Sequence, residues 1–225
     1  MSARSDRRLV VGFVCEGSTD TIVLRRVVEQ VLGPIDPLPL QPFTDDLDRA
    51  VPGMPSGWSE VKAWCQRVQS LEEYFNPSIG DPIDLLVIVL DLDIAVRAGV
   101  QKAPASLKAY DAKALCSIVK SWLPAPLRWP VVIAIPITSI ESWIVAALFP
   151  KRKVAPELER APSMVLLEKK KIPRGDSGPW KRVVEYRAFA DAVAARLGRV
   201  RASCREADRF VKKLNAIAPR LRLEG

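Results

Sequence analysis

The chain of 225 residues contains no histidine. This absence excludes serine or cysteine triads built on a His base, histidine-ligated nuclease and zinc-protease centres, and phosphohistidine chemistry. Carboxylates, lysines and arginines must carry any catalysis. Cysteine is scarce too: Cys15, Cys65, Cys116 and Cys204 lie far apart, with no pair at the spacing of a zinc knuckle or redox motif. They read as reduced, mostly buried thiols. No apolar run approaches the ~20 residues of a membrane span, and MSARSDRRLVVGF at the N-terminus lacks the apolar core of a signal peptide. A cytoplasmic protein with no membrane association is expected. Neither GxGxxG nor GxxxxGK[ST] occurs, so a Rossmann dinucleotide site and a P-loop are both unsupported. Internal repeats and long low-complexity tracts are missing as well.

What is present suffices for a sizeable core, with 48% hydrophobic residues in a length that fits one domain with an appendage or two small ones. The net charge of +8 is unevenly placed. Residues 1–150 hold 14 Lys+Arg against 17 Asp+Glu, a balance of −3, whereas residues 151–225 hold 20 against 9, a balance of +11. Positive charge concentrated in one segment favours a polyanion such as nucleic acid; a solvated basic face is the alternative.

Hydrophobic periodicity divides the first 150 residues into alternating strands and helices. Arg8 to Cys15 is a β-branched run read as a strand, and residues 19–32 switch to helical period, with Ser18 or Thr19 as cap and Gly33-Pro34 as stop. PLPLQPF at 37–43 reads as an edge strand because of its prolines. A helix is expected from Trp58 to about Phe75, and the unbroken aliphatic run IDLLVIVLDLD, 83–93, reads as a strand buried on both faces, as in parallel sheets. A helix over 106–122 opened by Ser106, a strand over 129–137 and a helix containing ESWIVAALF follow. Repeated strand–helix alternation predicts an α/β layered domain with right-handed crossovers. Beyond Pro150 the connections become polar and rich in Pro, with amphipathic helices expected at 187–197 and 203–217, the second opened by a Ser203–Glu206 capping box. The expected organisation is a core over 1–150 and a basic, mainly helical extension over 151–225 packed on it.

Acidic residues recur at the strand ends. Glu16 follows the first strand, Asp91 and Asp93 the central one, and Glu141 the fourth. Ligands of an open parallel sheet bind at the C-terminal ends of its strands. Carboxylates gathered there repel one another unless a cation intervenes, and a hard divalent ion such as Mg2+ takes oxygen ligands of this kind. Two such ions about 4 Å apart can hold the attacking and leaving oxygens of a phosphodiester. Taken singly, each motif has a plain reading: EGST as a turn and helix cap, DLD as a solvated loop, ESW as a helix start. Their shared placement at strand ends favours the site.

Glu16-Gly17-Ser18-Thr19-Asp20 resembles the EG-x-[ST]-[DE] signature of Toprim domains, and Asp91-Leu92-Asp93 resembles their DxD, over roughly the first 150 residues. SIESW at 139–143 is similar to the Ser-[IFV]-Glu-x-Trp segment of small stand-alone Toprim proteins of the OLD-nuclease-like kind, encoded beside an ATPase in prokaryotic defence loci, and WKRVVEYRAFADAV at 180–193 looks like a further region of those families. The resemblance implies a Toprim-like, Rossmann-like, mainly parallel sheet with helices on both faces. It also implies one or two Mg2+ or Mn2+ ions, with Glu16 as ligand and acid/base group, Asp91 and Asp93 as ligands and catalytic residues, and Glu141 completing a second metal site. Asp20 occupies the second acidic position, where many relatives have the longer Glu; at a helix start it is equally a charge favoured by the helix dipole.

A histidine-free phosphoryl site still needs cations, and Lys181, as a catalytic group, and Arg182 are the candidates for phosphate contact and transition-state charge, with a solvated turn as the alternative. Arg205, Arg209 and Lys212 on the outer face of the last helix are candidate nucleic-acid contacts, and Trp180 is a candidate to stack on a base. Lys169, Lys170 and Lys171 read as solvated, and Trp58, Trp64, Trp122 and Trp129 as packing residues. The leading expectation is a metal-dependent nuclease on DNA or RNA, with an ATPase partner and a role in phage defence implied by the resemblance. A non-catalytic docking module for that partner is the runner-up and an RNA maturation nuclease a third reading; homo-oligomerisation is left open. Topoisomerase activity is disfavoured by the lack of room for a cleavage domain, and primase activity by the lack of a zinc module.

Overall fold

A computed structural model describes residues 7–45, 47–49, 51, 55–97, 99, 102, 111–152, 154–176 and 178–224. β1 (Leu9–Val14) leads through Glu16 and Gly17 into α1 (Ser18–Leu32), and β2 (Ile35–Gln41) returns beside β1. The N-cap of α1 is Gly17 rather than Ser18 or Thr19; the capping carboxylate is that of Asp20, which accepts the Gly17 N–H at 2.9 Å. A side chain three residues into a helix reaches back to the entering backbone more directly than a hydroxyl already inside the first turn. At the other end Gly33, at φ +95°, takes the turn that closes α1.

The helix expected over 58–75 divides into α2 (Trp58–Arg67) and α3 (Glu72–Phe75), with an extended residue, Val68, between them. β3 (Leu85–Val89) is shorter than the aliphatic run that announces it, because Asp91 already turns the chain into α4 (Leu92–Arg97). Ser106 lies outside the described residues; α5 (Ala112–Ser121) is capped by Asp111, whose carboxylate accepts the Lys113 and Ala114 N–H groups. β4 (Val131–Ala134) and α6 (Glu141–Leu148) complete the pattern.

The sheet runs β2-β1-β3-β4, every pair parallel. Pro37 and Pro39 turn their missing N–H groups to one side of β2, which an edge position tolerates. Along β3 the side chains alternate without exception: Leu85, Val87 and Val89 enter one hydrophobic cluster, Leu86 and Ile88 the other. Helices therefore cover both faces. α2, α3, α4 and α5 lie with the second cluster, and Phe75 stacks on Trp129 at 5.0 Å there.

The C-terminal extension belongs to the first cluster. After a 3-10 turn at Pro156–Leu158 come α7 (Pro162–Glu168), a short hairpin of β5 (Arg174–Gly175) and β6 (Gly178–Pro179), α8 (Val183–Ala195), α9 (Leu197–Ser203) and α10 (Arg205–Glu224). α8 packs along α1, and Trp143 of α6 meets Phe210 of α10 with ring centroids 6.0 Å apart. Ala207, Phe210, Val211 and Leu214 are buried on the inner face of α10 as their spacing predicts. The expected Ser203–Glu206 capping box does not form. Ser203 ends α9, and buried Glu157 accepts the Arg205 and Glu206 N–H groups at 2.9 and 2.8 Å in its place. A carboxylate brought from another part of the chain has displaced the local hydroxyl at the helix start. Cys15, Cys65 and Cys204 are buried free thiols, and Cys116 is partly exposed. Among the described residues, no helix is long and apolar enough to cross a membrane.

Candidate functional site

The connection from β1 to β2 runs over one face of the sheet, and those from β2 to β3 and β3 to β4 over the other. The strand order thus reverses between β1 and β3, the position where open α/β sheets form a crevice at their C-terminal ends. Glu16 and Asp91 stand on its two sides. Glu16 spans it, its Oε1 accepting the Asp91 N–H at 2.6 Å.

The remaining acids reach the same place from neighbouring ends. Asp93 lies in the first turn of α4, where its N–H donates to the Ile137 carbonyl beyond β4 at 3.0 Å. Asp20 projects from the first turn of α1 and is 7% exposed. Glu141, in the first turn of α6, is fully buried. Its Oε1 accepts the Tyr186 hydroxyl of α8 at 2.5 Å and pairs with the Lys181 ammonium at 2.6 Å. Its Oε2 has no hydrogen-bond partner among the described residues.

The electrostatics show how strained this gathering is. Burial first, and the charges of Asp20 and Asp93 after it, push the Glu16 carboxyl up to about 7, against the Asp91 amide and Lys181, which pull it down. Asp20 is likewise pushed up to about 7, chiefly by burial, with Lys181 opposing and Glu141 adding to the rise. Asp91 lies well above the ordinary carboxylate range because of burial and then of Glu16, Asp20, Glu141 and Asp93 in turn. Glu141 alone goes the other way. Burial would raise it, but Lys181, helped by Ser139 and then Tyr186, holds it below its usual value. Lys181 in turn is raised, despite its own desolvation, by Glu141, Asp20 and Asp91. One ammonium thus serves several buried carboxyls.

Glu16, Asp20, Asp91, Asp93, Glu141 and Lys181 are therefore brought together; the strand-end positions predict this for Glu16, Asp91, Asp93 and Glu141, whereas Lys181 arrives from the extension. The donors are all hard carboxylate oxygens, the kind that a divalent ion such as Mg2+ takes, and the orphaned Glu141 Oε2 is a ready acceptor for one. No three acidic or cysteine side chains among the described residues converge tightly enough to make a finished ligand set. Their present bonds explain the separation: Glu16 is held on the Asp91 amide, Asp20 on the Gly17 amide, and Glu141 on Lys181 and Tyr186. The residues fit a hard cation in chemistry and in charge.

The other basic candidates are placed differently. Arg182 caps α8, pairs with Glu185 and lies over the Trp180 ring, 5.6 Å from its centroid. Arg205 and Arg209 are paired with Glu206, and Lys212 with Asp208, along α10. Lys169, Lys170 and Lys171 are exposed. Tyr186 is the site residue that sequence reasoning missed. The available signal was a Tyr on the apolar face of an amphipathic helix, since a buried phenol needs a polar partner. Compared with protein-family models, curated proteins and solved structures, the chain matches none.

Proposed function

We propose that the protein is a divalent-metal-dependent phosphodiesterase of the Toprim type that cleaves DNA or RNA. The observation that supports this reading best is the cluster of buried and half-buried carboxyls at the switch point of the sheet, three of them displaced upward and, among the described residues, served by Lys181. A fold gains nothing from concentrating buried acids in one crevice. A cation-dependent reaction does.

Glu16, Asp91 and Asp93 are the residues that would hold a first Mg2+ or Mn2+ ion, with Glu141 and Asp20 available to a second. Bound there, the ion supplies charge neutralisation and polarisation of a phosphoryl oxygen. The chain's own groups do the rest. Glu16 is also the acid/base group of this reading, taking the proton from an attacking water as the new P–O bond forms. The bond to the leaving oxygen then breaks, and that oxygen takes a proton from solvent. Lys181, always cationic, sets its charge against the phosphoryl oxygens in the transition state. The basic extension contributes phosphate contacts through Arg182 and, along α10, Arg205, Arg209 and Lys212. An ATPase partner and a role in phage defence extend the same reading by resemblance.

A second reading has its own supporting observation. Glu141 is already neutralised by Lys181 and Tyr186, as it would be in a structural cluster, which favours a non-catalytic module that docks on a partner. One experiment separates the two. Thermal unfolding of the purified protein with and without Mg2+ or Mn2+ should show a rise worth about 2.7 kcal/mol at one hundred times the dissociation constant. Asp91→Ala should abolish both that rise and metal-dependent cleavage of plasmid, single-stranded DNA or structured RNA. Identical metal responses of the two proteins would leave docking as the function.

A further inference from the structure

A second feature adjoins Lys181 in the chain. β5 and β6 pair antiparallel, Arg174 opposite Pro179 and Gly175 opposite Gly178, and Gly178 at φ +137° makes a return that a side chain would strain. The hairpin delivers Trp180, whose N–H donates to the Pro173 carbonyl at 2.9 Å. Trp180 is left 56% exposed, whereas Trp64, Trp143, Tyr186 and Phe210 are buried. The Arg182 guanidinium backs that ring, and Lys181 between them sits 2.6 Å from Glu141. Three consecutive residues thus carry an exposed aromatic ring with a guanidinium over it and, between the two, the lysine whose ammonium reaches the crevice.

An exposed indole fixed at its backbone and steadied by a guanidinium offers a π-face to a planar ligand, and the planar groups of a polynucleotide are its bases. In a continuous duplex those faces are occupied by neighbouring base pairs. An unpaired base has one free. We propose that Trp180 and Arg182 form a stacking platform for an unpaired base, so that the strand entering the carboxylate crevice is single-stranded or frayed beside the bond that is cut. The inference rests on the nucleic-acid reading above and adds the substrate class to it.

The test measures binding of the full-length protein to a short oligothymidylate and to a duplex of the same length, in Ca2+, with the integrity of both ligands checked on a gel. Wild type should bind the single strand more tightly than the duplex, and the strand should quench tryptophan fluorescence. Trp180→Ala should weaken single-strand binding about ten-fold or more, the effect of losing one stacked base, while duplex binding stays within about two-fold. Trp180→Phe should recover most of the affinity but none of the quenching. The unfolding temperature of each variant should match wild type, since the ring is exposed. Unchanged single-strand binding by Trp180→Ala, or an equal loss for strand and duplex, overturns the platform while leaving the nuclease reading standing. Failure of wild type to bind either ligand overturns both, and capture of a protein through Trp180 in that case favours the docking module.

Discussion

Replacing Lys181 by methionine isolates the electrostatic role of the crevice's cation among the described residues, because the unbranched apolar stem is kept and only the ammonium is lost. Removing one partner of a fully buried ion pair costs about 3–5 kcal/mol, and an exposed pair is worth about 0.2–1 kcal/mol. Here the Glu141 side chain is 1% exposed and that of Lys181 is 42% exposed, so the pair lies between these limits. A loss of about 2 kcal/mol near pH 8 follows, or about 4–8 °C in melting temperature for a chain of this size. The pH dependence is the sharper test. In wild type, Lys181 keeps Glu141 low, so that pair contributes stability above the usual glutamate range and loses it as pH falls. In the variant, burial prevails and Glu141 rises, and Glu16 and Asp20 rise further without the Lys181 attraction that now opposes their burial. The folded variant therefore holds more protons than wild type, and its deficit shrinks as pH falls toward about 5. Thermal unfolding of both proteins at the two pH values, without metal, measures this. A deficit of equal size at both values, or none near pH 8, would refute the reasoning.

Tyr186→Phe removes one hydrogen bond to a buried carboxylate, expected to cost about 2 kcal/mol by urea unfolding. A change within a few tenths would mean that the phenol does not serve Glu141. Stabilisation by Mg2+ should grow with pH. Glu16 and Asp20 stand near 7 in the fold against ordinary values of 4.5 and 3.8, so protonation favours the metal-free fold, which loses stability as pH rises between those values. A cation must displace those protons, so the Mg2+-induced rise in melting temperature should be small near pH 5.5 and approach its maximum near pH 8; a rise independent of pH would place the ion elsewhere.

The parts of the site that could be read from sequence were those fixed by local pattern. A β-branched run such as 9–14, or the aliphatic run before Asp91, determines both a strand and the point where it stops, and in a parallel sheet all such points lie at one edge. Glu16, Asp91, Asp93 and Glu141 therefore fall at that one edge by local pattern alone. Helix boundaries were less legible, because several are set by groups distant in sequence. Glu157 caps α10 from outside that helix, and a hydroxyl at Ser203 that satisfies the local rule goes unused.

Lys181 and Tyr186 mark the limit of that local reasoning and also its most informative failure. Composition assigned positive charge to the last third of the chain, but it takes the packing of α8 against α6, with Lys181 just ahead of α8, to bring this lysine and this phenol onto a glutamate forty or more residues earlier. Glu141 is ionised in a fully buried position because residues of the extension reach it. The extension is thus part of the crevice's charge balance. On the proposed function, a phosphate that drew Lys181 away from Glu141 would raise Glu141, Asp20 and Glu16 together, since the same ammonium lowers all three.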